Sequence, residues 1–500
     1  MTDLLAAVEA AMVGDAPAIT FGRRTLTRDQ LARRIRAVAA SLQRDGLAVG
    51  DRVLFSIRPG IDAVVAALGV VKAGGTVVFA DPGAGDALFR SRMQLAAPRW
   101  VMAESLLFAA SRPLLRPLAR SRGIDLPDYA RIIDGARFVH SGTWLPGVPR
   151  RSRSLASLHR QEGTPCETPP DTDALIIFTS GTTDTPKAVV HTRSTLGAGL
   201  ADVSAGLDLR EGQRVLTDQL MIGIPALIAG AHWVMPRYGL DPGAHPGDFL
   251  KLLEGADAIF LTPASLDAVL AELGERTLPG IELIALGGAP VLTPLLRRTL
   301  AAAPNARVRA IYGMTEMLPV AIADGADKLT RDPAEGDWLG RIVSSVDATV
   351  TDDELRLAGP GLARAYLHQL PEELDTLATG DLARIADGEL TMLGRRKDML
   401  IRDRTNIYPG LYEPIISDLP GVREAFIIGV PDSIGDDRVV LALIADDDSV
   451  PARVERALPG LIDHAALPDA VVRIATVPRS GRQSKPDRAA LAAQLAESLG

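Results

Sequence analysis

The sequence predicts an α/β fold assembled from more than one domain, and three observations carry that prediction. Apolar, β-rich runs alternate along the chain with Ala/Leu/Arg segments of helical character, the pattern of helices layered on sheets rather than of an all-α or all-β design. Several of the apolar runs are followed by Gly or Pro, as buried strands feeding loops are. The chain has 500 residues, 47% of them hydrophobic, which is more than one core usually organises.

Taken in order, residues 29–42 space their apolar side chains as an amphipathic helix does. Residues 53–57 and 76–80 are short apolar runs that read as buried strands. The stretch 63–80 is the most apolar part of the early chain, but Lys72, Gly74 and Gly75 interrupt it and it is too short to span a membrane. Between 141 and 173 the composition shifts to Pro, Arg, Ser and Gly, which predicts a surface excursion, with a domain linker as the alternative. Residues 174–178, 258–262, 281–286 and 308–312 complete the set of buried strands, mostly candidates for a parallel sheet. There is no internal repeat and no low-complexity tract.

Charge and cysteine usage exclude several function classes. A net charge of −8 without a basic stripe argues against nucleic-acid binding. The one cysteine, Cys166, has no disulfide partner in the chain, and seven histidines offer no Cys/His cluster of metal-ligand spacing. The N-terminus lacks a basic region followed by an apolar core, so no signal peptide and no membrane partner are expected and a reducing cytoplasm fits.

The most informative segment is Thr179-Ser180-Gly181-Thr182-Thr183-Asp184-Thr185-Pro186-Lys187, directly after the apolar run 174–178. Hydroxyls and backbone N–H groups can wrap phosphate oxygens, Gly181 lets the main chain approach, and Lys187 supplies charge. It is not a Walker A loop, because Pro186 and Ala188 flank the lysine. The competing reading is a polar turn between a strand and a helix. Downstream, Tyr312-Gly313-Met314-Thr315-Glu316 places an aromatic face, a hydroxyl and a carboxylate at one strand end, where ligands bind in open α/β sheets. A ring can stack on a purine and a carboxylate can hold magnesium. Thr379-Gly380-Asp381 offers a carboxylate at a tight turn, suited to two ribose hydroxyls, while Gly394-Arg395 and Lys485 say little in isolation.

Order and spacing give these fragments their meaning. Phosphate loop, Gly287-Gly288-Ala289-Pro290, Tyr-Gly-Met-Thr-Glu, Thr-Gly-Asp, Gly-Arg and a near-terminal lysine occur as they do in the adenylate-forming superfamily, which the chain resembles from the Lys72-Ala73-Gly74 region to Lys485. That superfamily includes acyl-CoA synthetases, peptide-synthetase adenylation domains and beetle luciferases. The resemblance implies a large N-terminal multi-layer α/β domain, residues 1–395, and a small mobile C-terminal α/β domain, residues 396–500, with Lys397 at the hinge. It implies ATP and Mg2+ as cofactors, a carboxylic acid as substrate, and CoA or a separate thioester-forming enzyme as acceptor.

The resemblance also implies residue roles. Lys485 would bridge the carboxylate and the α-phosphate. Lys187, with Thr179, Ser180, Gly181, Thr182 and Thr183, would hold the leaving pyrophosphate. Glu316 and Thr182 would place magnesium, and Thr315 the α-phosphate. Tyr312 would take the adenine and Asp381 with Arg395 the ribose, while Gly288, Ala289, Pro290 and Gly313 would belong to the ATP-binding set. Met221, Ile222, Ile224, Gly287, Met314 and Leu318 would line the acyl pocket.

Four departures from the family pattern bear on function. Asp184 and Ala188 stand where relatives usually carry glycine, and Asp184 is expected to face solvent. Arg404 stands where thioester-forming relatives have a glycine lining the thiol tunnel, and the residue two places on, basic in some relatives, is Asn406. A guanidinium there would narrow the tunnel or grip a CoA phosphate, so thioester formation stays open on this chain. No His or aromatic residue occurs from Leu216 to Gly230, which suits a bulky uncharged acid, with helix core as the alternative role for those side chains. Asp218 suggests an amino-acid substrate, but Thr217 lies nearer the relevant slot. The extension Met317-Leu318-Pro319-Val320 and Glu413-Pro414-Ile415 resemble the branch with olefin-pathway β-lactone synthetases, and equally the diterpenoid-acid synthetases of platensimycin-type biosynthesis. Three functions follow as expectations: activation of a bulky hydrophobic acid to acyl-AMP, β-lactone formation from a β-hydroxy acid, or nucleotide and acyl binding without turnover. Retention of Lys187, Glu316, Asp381 and Lys485 together weighs against the last.

Overall fold

The computed structural model describes the chain except for residues 1–2, 81–84, 113–125, 161–162, 179–186, 279, 371, 403–404, 432–436, 481–484 and 500. It is a mixed α/β protein whose residues pack into two compact units. The first comprises residues 1–239, 314–318 and 359–375, and the second residues 240–313, 319–358 and 376–500.

The first unit is built on an eight-stranded sheet. Its order is Ala365–Tyr366, Ala188–Thr192, Asp173–Phe178, Thr76–Phe79, Arg52–Ser56, Trp100–Glu104, Arg137–Ser141 and Arg153–Ser154. The four central strands pair in parallel, as their uninterrupted Val/Ile/Phe runs predict for strands covered on both faces. Helix Arg28–Arg44 begins at a capping box, in which Thr27 accepts from the Gln30 N–H and Gln30 answers the Thr27 N–H. It packs on helix Ile61–Lys72 at Gly69, where a Cβ would lie 2.6 Å from Val38, so the two helices approach too closely for any side chain there. A second group of strands, ordered Arg214–Leu216, His232–Met235, Pro17–Phe21 and Arg24–Thr27, carries the fully buried Trp233, whose indole N–H donates to the Thr217 carbonyl at 2.8 Å.

The second unit opens with three parallel strands, Ala258–Leu261, Leu283–Gly287 and Arg307–Met314. Antiparallel pairing joins Asp337–Ile342 to Glu389–Arg395, and Glu389–Arg395 to Leu377–Ala386. Beyond residue 395 the chain forms a smaller α/β region around the strands Val422–Pro431, Asp437–Ala445 and Ala470–Arg473. Successive side chains of these strands alternate between two apolar clusters. Ala425, Ile427, Val439 and Leu441 join Ile416 and Val454, whereas Phe426, Ile428, Val440 and Ala442 join Leu491 and Leu495. One face is thereby covered by helices Pro409–Ser417 and Val450–Ala457, and the other by Arg488–Leu499.

The sequence-based elements recur with shifted ends. The helix expected over 29–42 spans Arg28–Arg44, and the strand expected over 308–312 runs on to Met314, which puts Tyr312 and Gly313 inside it. One competing reading and one expectation are corrected. The phosphate-loop segment joins two antiparallel strands, Asp173–Phe178 and Ala188–Thr192, rather than a strand and a helix. Thr379-Gly380-Asp381 is not a tight turn but part of the ten-residue strand Leu377–Ala386, in which Gly380 takes φ +74°. Only glycine adopts that conformation readily, and it kinks the strand without ending it.

Candidate functional site

The site is built on the hairpin whose strands hold the phosphate-loop segment. Thr179, Ser180, Gly181, Thr182 and Thr183 lie outside the described residues, as does Arg404. Lys187 is described at the hairpin's return, one residue before Ala188, which pairs with Phe178. The strand it leads into is extended on its far side by Ala365–Tyr366, with Val189 opposite Tyr366 and Val190 opposite Ala365. Arg364 fastens this edge from both its main chain and side chain. Its N–H donates to the Val190 carbonyl at 2.9 Å, and its guanidinium to Asp173 Oδ1 at 2.7 Å and Glu373 Oε1 at 2.8 Å.

That pairing sets Tyr366 between two ionic groups. Its hydroxyl donates to Glu316 Oε1 at 2.8 Å, and the Lys187 ammonium sits 5.6 Å from its ring centroid, within cation–π range. Partial burial and the neighbouring Glu316 carboxylate raise the Tyr366 phenol well above its ordinary pKa, so it stays a donor at any ordinary pH.

Glu316 stands in a two-residue turn between the strands Arg307–Met314 and Met317–Asp324. Main-chain contacts fix that turn. The Thr315 carbonyl lies 2.8 Å from His191 Nε2, and the Glu316 carbonyl accepts from the Ala363 N–H at 2.7 Å. A carbonyl can only accept, so the ring proton of His191 is on Nε2, and Nδ1 then accepts from Thr195 Oγ1 at 3.1 Å. His191 is fully enclosed, and burial holds its pKa below the usual histidine value despite the Thr315 carbonyl and the Glu316 charge. Behind the turn, a Cβ on Gly199 would lie 2.4 Å from the Leu318 carbonyl oxygen, so the helix Arg193–Gly206 can reach this segment only through glycine.

A separate cluster lies within the second unit. Asp381 is 3% exposed and is held at both oxygens: Tyr312 donates to Oδ2 at 2.5 Å and Arg395 Nε reaches Oδ1 at 2.7 Å. The kink at Gly380 aims its N–H at Glu354 Oε1, 2.8 Å away, while Thr379 Oγ1 accepts from the Asp381 N–H at 3.0 Å. Burial and the Asp381 charge push the Tyr312 phenol well above its ordinary pKa. The sequence assigned Asp381 and Arg395 jointly, and the structure brings them together. The direct bond from Tyr312 to Asp381 has no sequence signal.

The remaining assigned residues distribute as follows. Gly287 ends a fully buried strand, and Gly288 takes φ +84° before Ala289 and the exposed Pro290. Met314 and Leu318 belong to the first unit, Gly313 to the second. On helix Leu220–Ile228, Ile222 is buried while Met221 and Ile224 are partly buried against the main apolar core, so core packing is part of their role. Lys397 is exposed within the turn Arg396–Asp398, next to Asp398, which faces Arg488 at 3.6 Å. Lys485 is exposed in a two-residue strand that pairs with Arg479–Ser480. Sequence reasoning missed Tyr366, His191 and Arg364. The capping pattern from Thr192 to Thr195 beside His191 was the only local signal available.

Among the described residues, no group of three or more His, Cys, Asp or Glu could hold a metal ion. Magnesium that arrives on nucleotide phosphates keeps most of its waters and needs only one or two carboxylates, a requirement Glu316 fits. No helix among the described residues is long and apolar enough to cross a membrane.

Known proteins share the sequence and the fold of this chain. Residues 7–367 match the family described as AMP-binding enzyme. An olefin β-lactone synthetase of Stenotrophomonas maltophilia is 26% identical over 81% of this chain and 79% of its own length. A fatty acid–[acyl-carrier-protein] ligase, MmaC, of Mycobacterium marinum is 26% identical over 95% of this chain and 94% of its own length. An isonitrile lipopeptide synthase of Streptomyces coeruleorubidus is 28% identical over 98% of this chain, which spans 33% of that protein. Among solved structures, the amide bond synthetase McbA of Marinactinospora thermotolerans superposes with TM-score 0.80 at 21% identity, covering 98% of this chain and 99% of its own. ATP-bound MatB of Rhodopseudomonas palustris does so with TM-score 0.78 at 22% identity over 100% of both chains.

Proposed function

Since the chain belongs to the family of AMP-binding enzymes, we propose that it activates a bulky hydrophobic carboxylic acid with ATP, giving acyl-AMP and pyrophosphate. The observation that carries this reading is the meeting of Lys187 and Glu316 at Tyr366, whose ring the ammonium faces at 5.6 Å and whose hydroxyl donates to the carboxylate at 2.8 Å. In the reaction a carboxylate oxygen bonds to the α-phosphorus while the bond to the β-phosphate oxygen breaks and pyrophosphate leaves with its electron pair. Lys187 is assigned to the leaving pyrophosphate and Thr315 to the α-phosphate. Glu316 is assigned, with Thr182, to magnesium, which when bound neutralises phosphate charge. Asp381 would accept hydrogen bonds from the ribose hydroxyls, its carboxylate already oriented by Tyr312 and Arg395. Lys485 would bridge substrate carboxylate and α-phosphate from a mobile region, residues 396–500, that turns about Lys397.

The acceptor belongs to the same proposal. The acyl group passes to CoA on this chain, or to a separate thioester-forming enzyme if Arg404 closes the thiol tunnel. The likeness to an olefin β-lactone synthetase supports a second reading, in which the substrate's own hydroxyl displaces AMP and closes a lactone. Carboxylate-dependent exchange of labelled pyrophosphate into ATP tests the first step. No exchange with any aliphatic, aromatic or terpenoid acid would refute it. Product analysis with and without CoA then separates thioester, lactone and released acyl-AMP, and faster thioester formation by Arg404→Gly would assign the tunnel role.

A further inference from the structure

We propose that His191 is a positioning residue for Glu316: its Nε2–H grips the Thr315 carbonyl and so fixes the direction in which Glu316 leaves the main chain. The inference rests on the function proposed above, which assigns Glu316 to magnesium. A side chain in a two-residue turn is placed only as well as the peptide groups beneath it, and a loosely held carboxylate is a poor partner for a metal that demands strict geometry. Here both peptide planes that flank the Glu316 Cα are held from outside the turn. His191 Nε2 lies 2.8 Å from the Thr315 carbonyl, and the Ala363 N–H donates to the Glu316 carbonyl at 2.7 Å. With each plane pinned to a different neighbour, the backbone at Glu316 cannot turn, and its carboxylate stays where the Tyr366 hydroxyl meets Oε1 at 2.8 Å.

The ring itself is committed to this task. His191 is 4% exposed on the strand Ala188–Thr192, which returns from the phosphate-loop segment. Thr195 Oγ1 donates to Nδ1 at 3.1 Å while accepting the Thr192 N–H at 3.1 Å, so the hydroxyl that closes the capping box of helix Arg193–Gly206 also sets the tautomer of the ring. Burial keeps the imidazole neutral at pH 7, which leaves Nδ1 an acceptor and Nε2 the donor. A side chain that only filled this space would need neither nitrogen, and leucine would serve as well. The contact also joins two parts of the proposed site that lie 124 residues apart in sequence, the strand after the phosphate loop and the turn that carries Glu316.

Two amides separate the two ring nitrogens and supply the test. Glutamine carries its NH2 group to the place of Nε2, whereas the shorter asparagine reaches only that of Nδ1, so His191→Gln keeps the donor to Thr315 and His191→Asn loses it. Calorimetric titration with ATP is run with Mg2+ and, separately, with a chelator, at a temperature where each chain is folded, so that no knowledge of the acid is needed. His191→Asn is expected to weaken MgATP binding about tenfold and metal-free ATP no more than about twofold, while His191→Gln stays within about threefold of wild type for both. A histidine that served stability alone would lower the melting temperature of both variants and leave the preference for MgATP unmoved. In the wild-type chain, a 15N spectrum of the histidines should place the His191 proton on Nε2, and this result and the His191→Gln titration decide the matter even if His191→Asn fails to fold. Unchanged MgATP affinity in His191→Asn, equal weakening of both ATP forms, a tenfold loss in His191→Gln or a proton on Nδ1 would each overturn the role while leaving the proposed function standing. A wild-type chain that binds neither form of ATP would overturn both.

Discussion

Tyr312 Oη donates to Asp381 Oδ2 at 2.5 Å across 69 residues of sequence, and Arg395 Nε occupies the other carboxylate oxygen at 2.7 Å. The two contacts fix the plane of a carboxylate that is 3% exposed, and an ionised carboxylate still has lone pairs for further donors. Asp381→Asn retains the shape but removes the charge that Arg395 addresses and that the proposed ribose contact requires. Hydrogen bonds to charged groups contribute about 1.5–3 kcal/mol, so ATP affinity should fall at least tenfold in Asp381→Asn. Tyr312→Phe only frees the carboxylate to rotate and should cost a few-fold. Equilibrium binding of ATP or AMP to the two variants checks the order, and a larger loss in Tyr312→Phe would contradict it.

Acid sensitivity follows from the buried histidines. Burial lowers the pKa of His140, His159, His191 and His232 relative to 6.5 in every case. As pH falls below about 6.5 the unfolded chain takes up protons that the folded chain refuses, so stability present above that pH is lost below it. The fully enclosed His191 can account for at most about 1.4 kcal/mol per pH unit in that window. Melting temperature should therefore drop between about pH 7.5 and about pH 5.5, and His191→Gln, whose amide can still donate to the Thr315 carbonyl, should drop less. An unchanged pH slope in the variant would remove His191 from the account.

The fold was legible where local pattern and final structure agree, and the site only where its residues carry a sequence signature. The helix over 29–42 and the parallel strands declared themselves by period and by uninterrupted apolar runs. Asp381 and Arg395 were assigned together, and they lie opposite each other on paired strands. Tyr366 gave no such signal, because a two-residue strand has no period to detect and its partner Glu316 lies 50 residues away. His191 was invisible for a related reason: it acts on a backbone carbonyl 124 residues distant, and main-chain groups carry no sequence identity. Thr379-Gly380-Asp381 was misread as a turn because a glycine with positive φ marks a turn in most settings, whereas here Ala378 and Leu382 pair with one neighbouring strand and Asp381 with the other, so the strand continues past the kink.

Gly199 offers a test of how tightly the Glu316 turn is held from behind. A methyl group at this position would meet the Leu318 carbonyl oxygen at 2.4 Å, and the far wall is main chain rather than a flexible side chain. Gly199→Ala must push the helix Arg193–Gly206 away or shift Leu318, two residues from Glu316. Overpacking of this kind costs about 1–3 kcal/mol, read as a lower denaturant midpoint. Pyrophosphate exchange should fall by more than the loss of folded protein explains. A stable variant with full exchange would show that the segment has slack.

The bridging role proposed for Lys485 predicts a separation of binding from chemistry. Its side chain is exposed on a two-residue strand, so Lys485→Ala should leave the melting temperature nearly unchanged, as surface substitutions do. A cation that meets the substrate carboxylate and the α-phosphate only as charge builds on them contributes to the transition state and little to the ground state. Exchange should then fall about 10²- to 10³-fold with MgATP affinity within about twofold. Loss of affinity in proportion to loss of exchange would instead make Lys485 a simple nucleotide contact. Full exchange would move the bridging role to another residue.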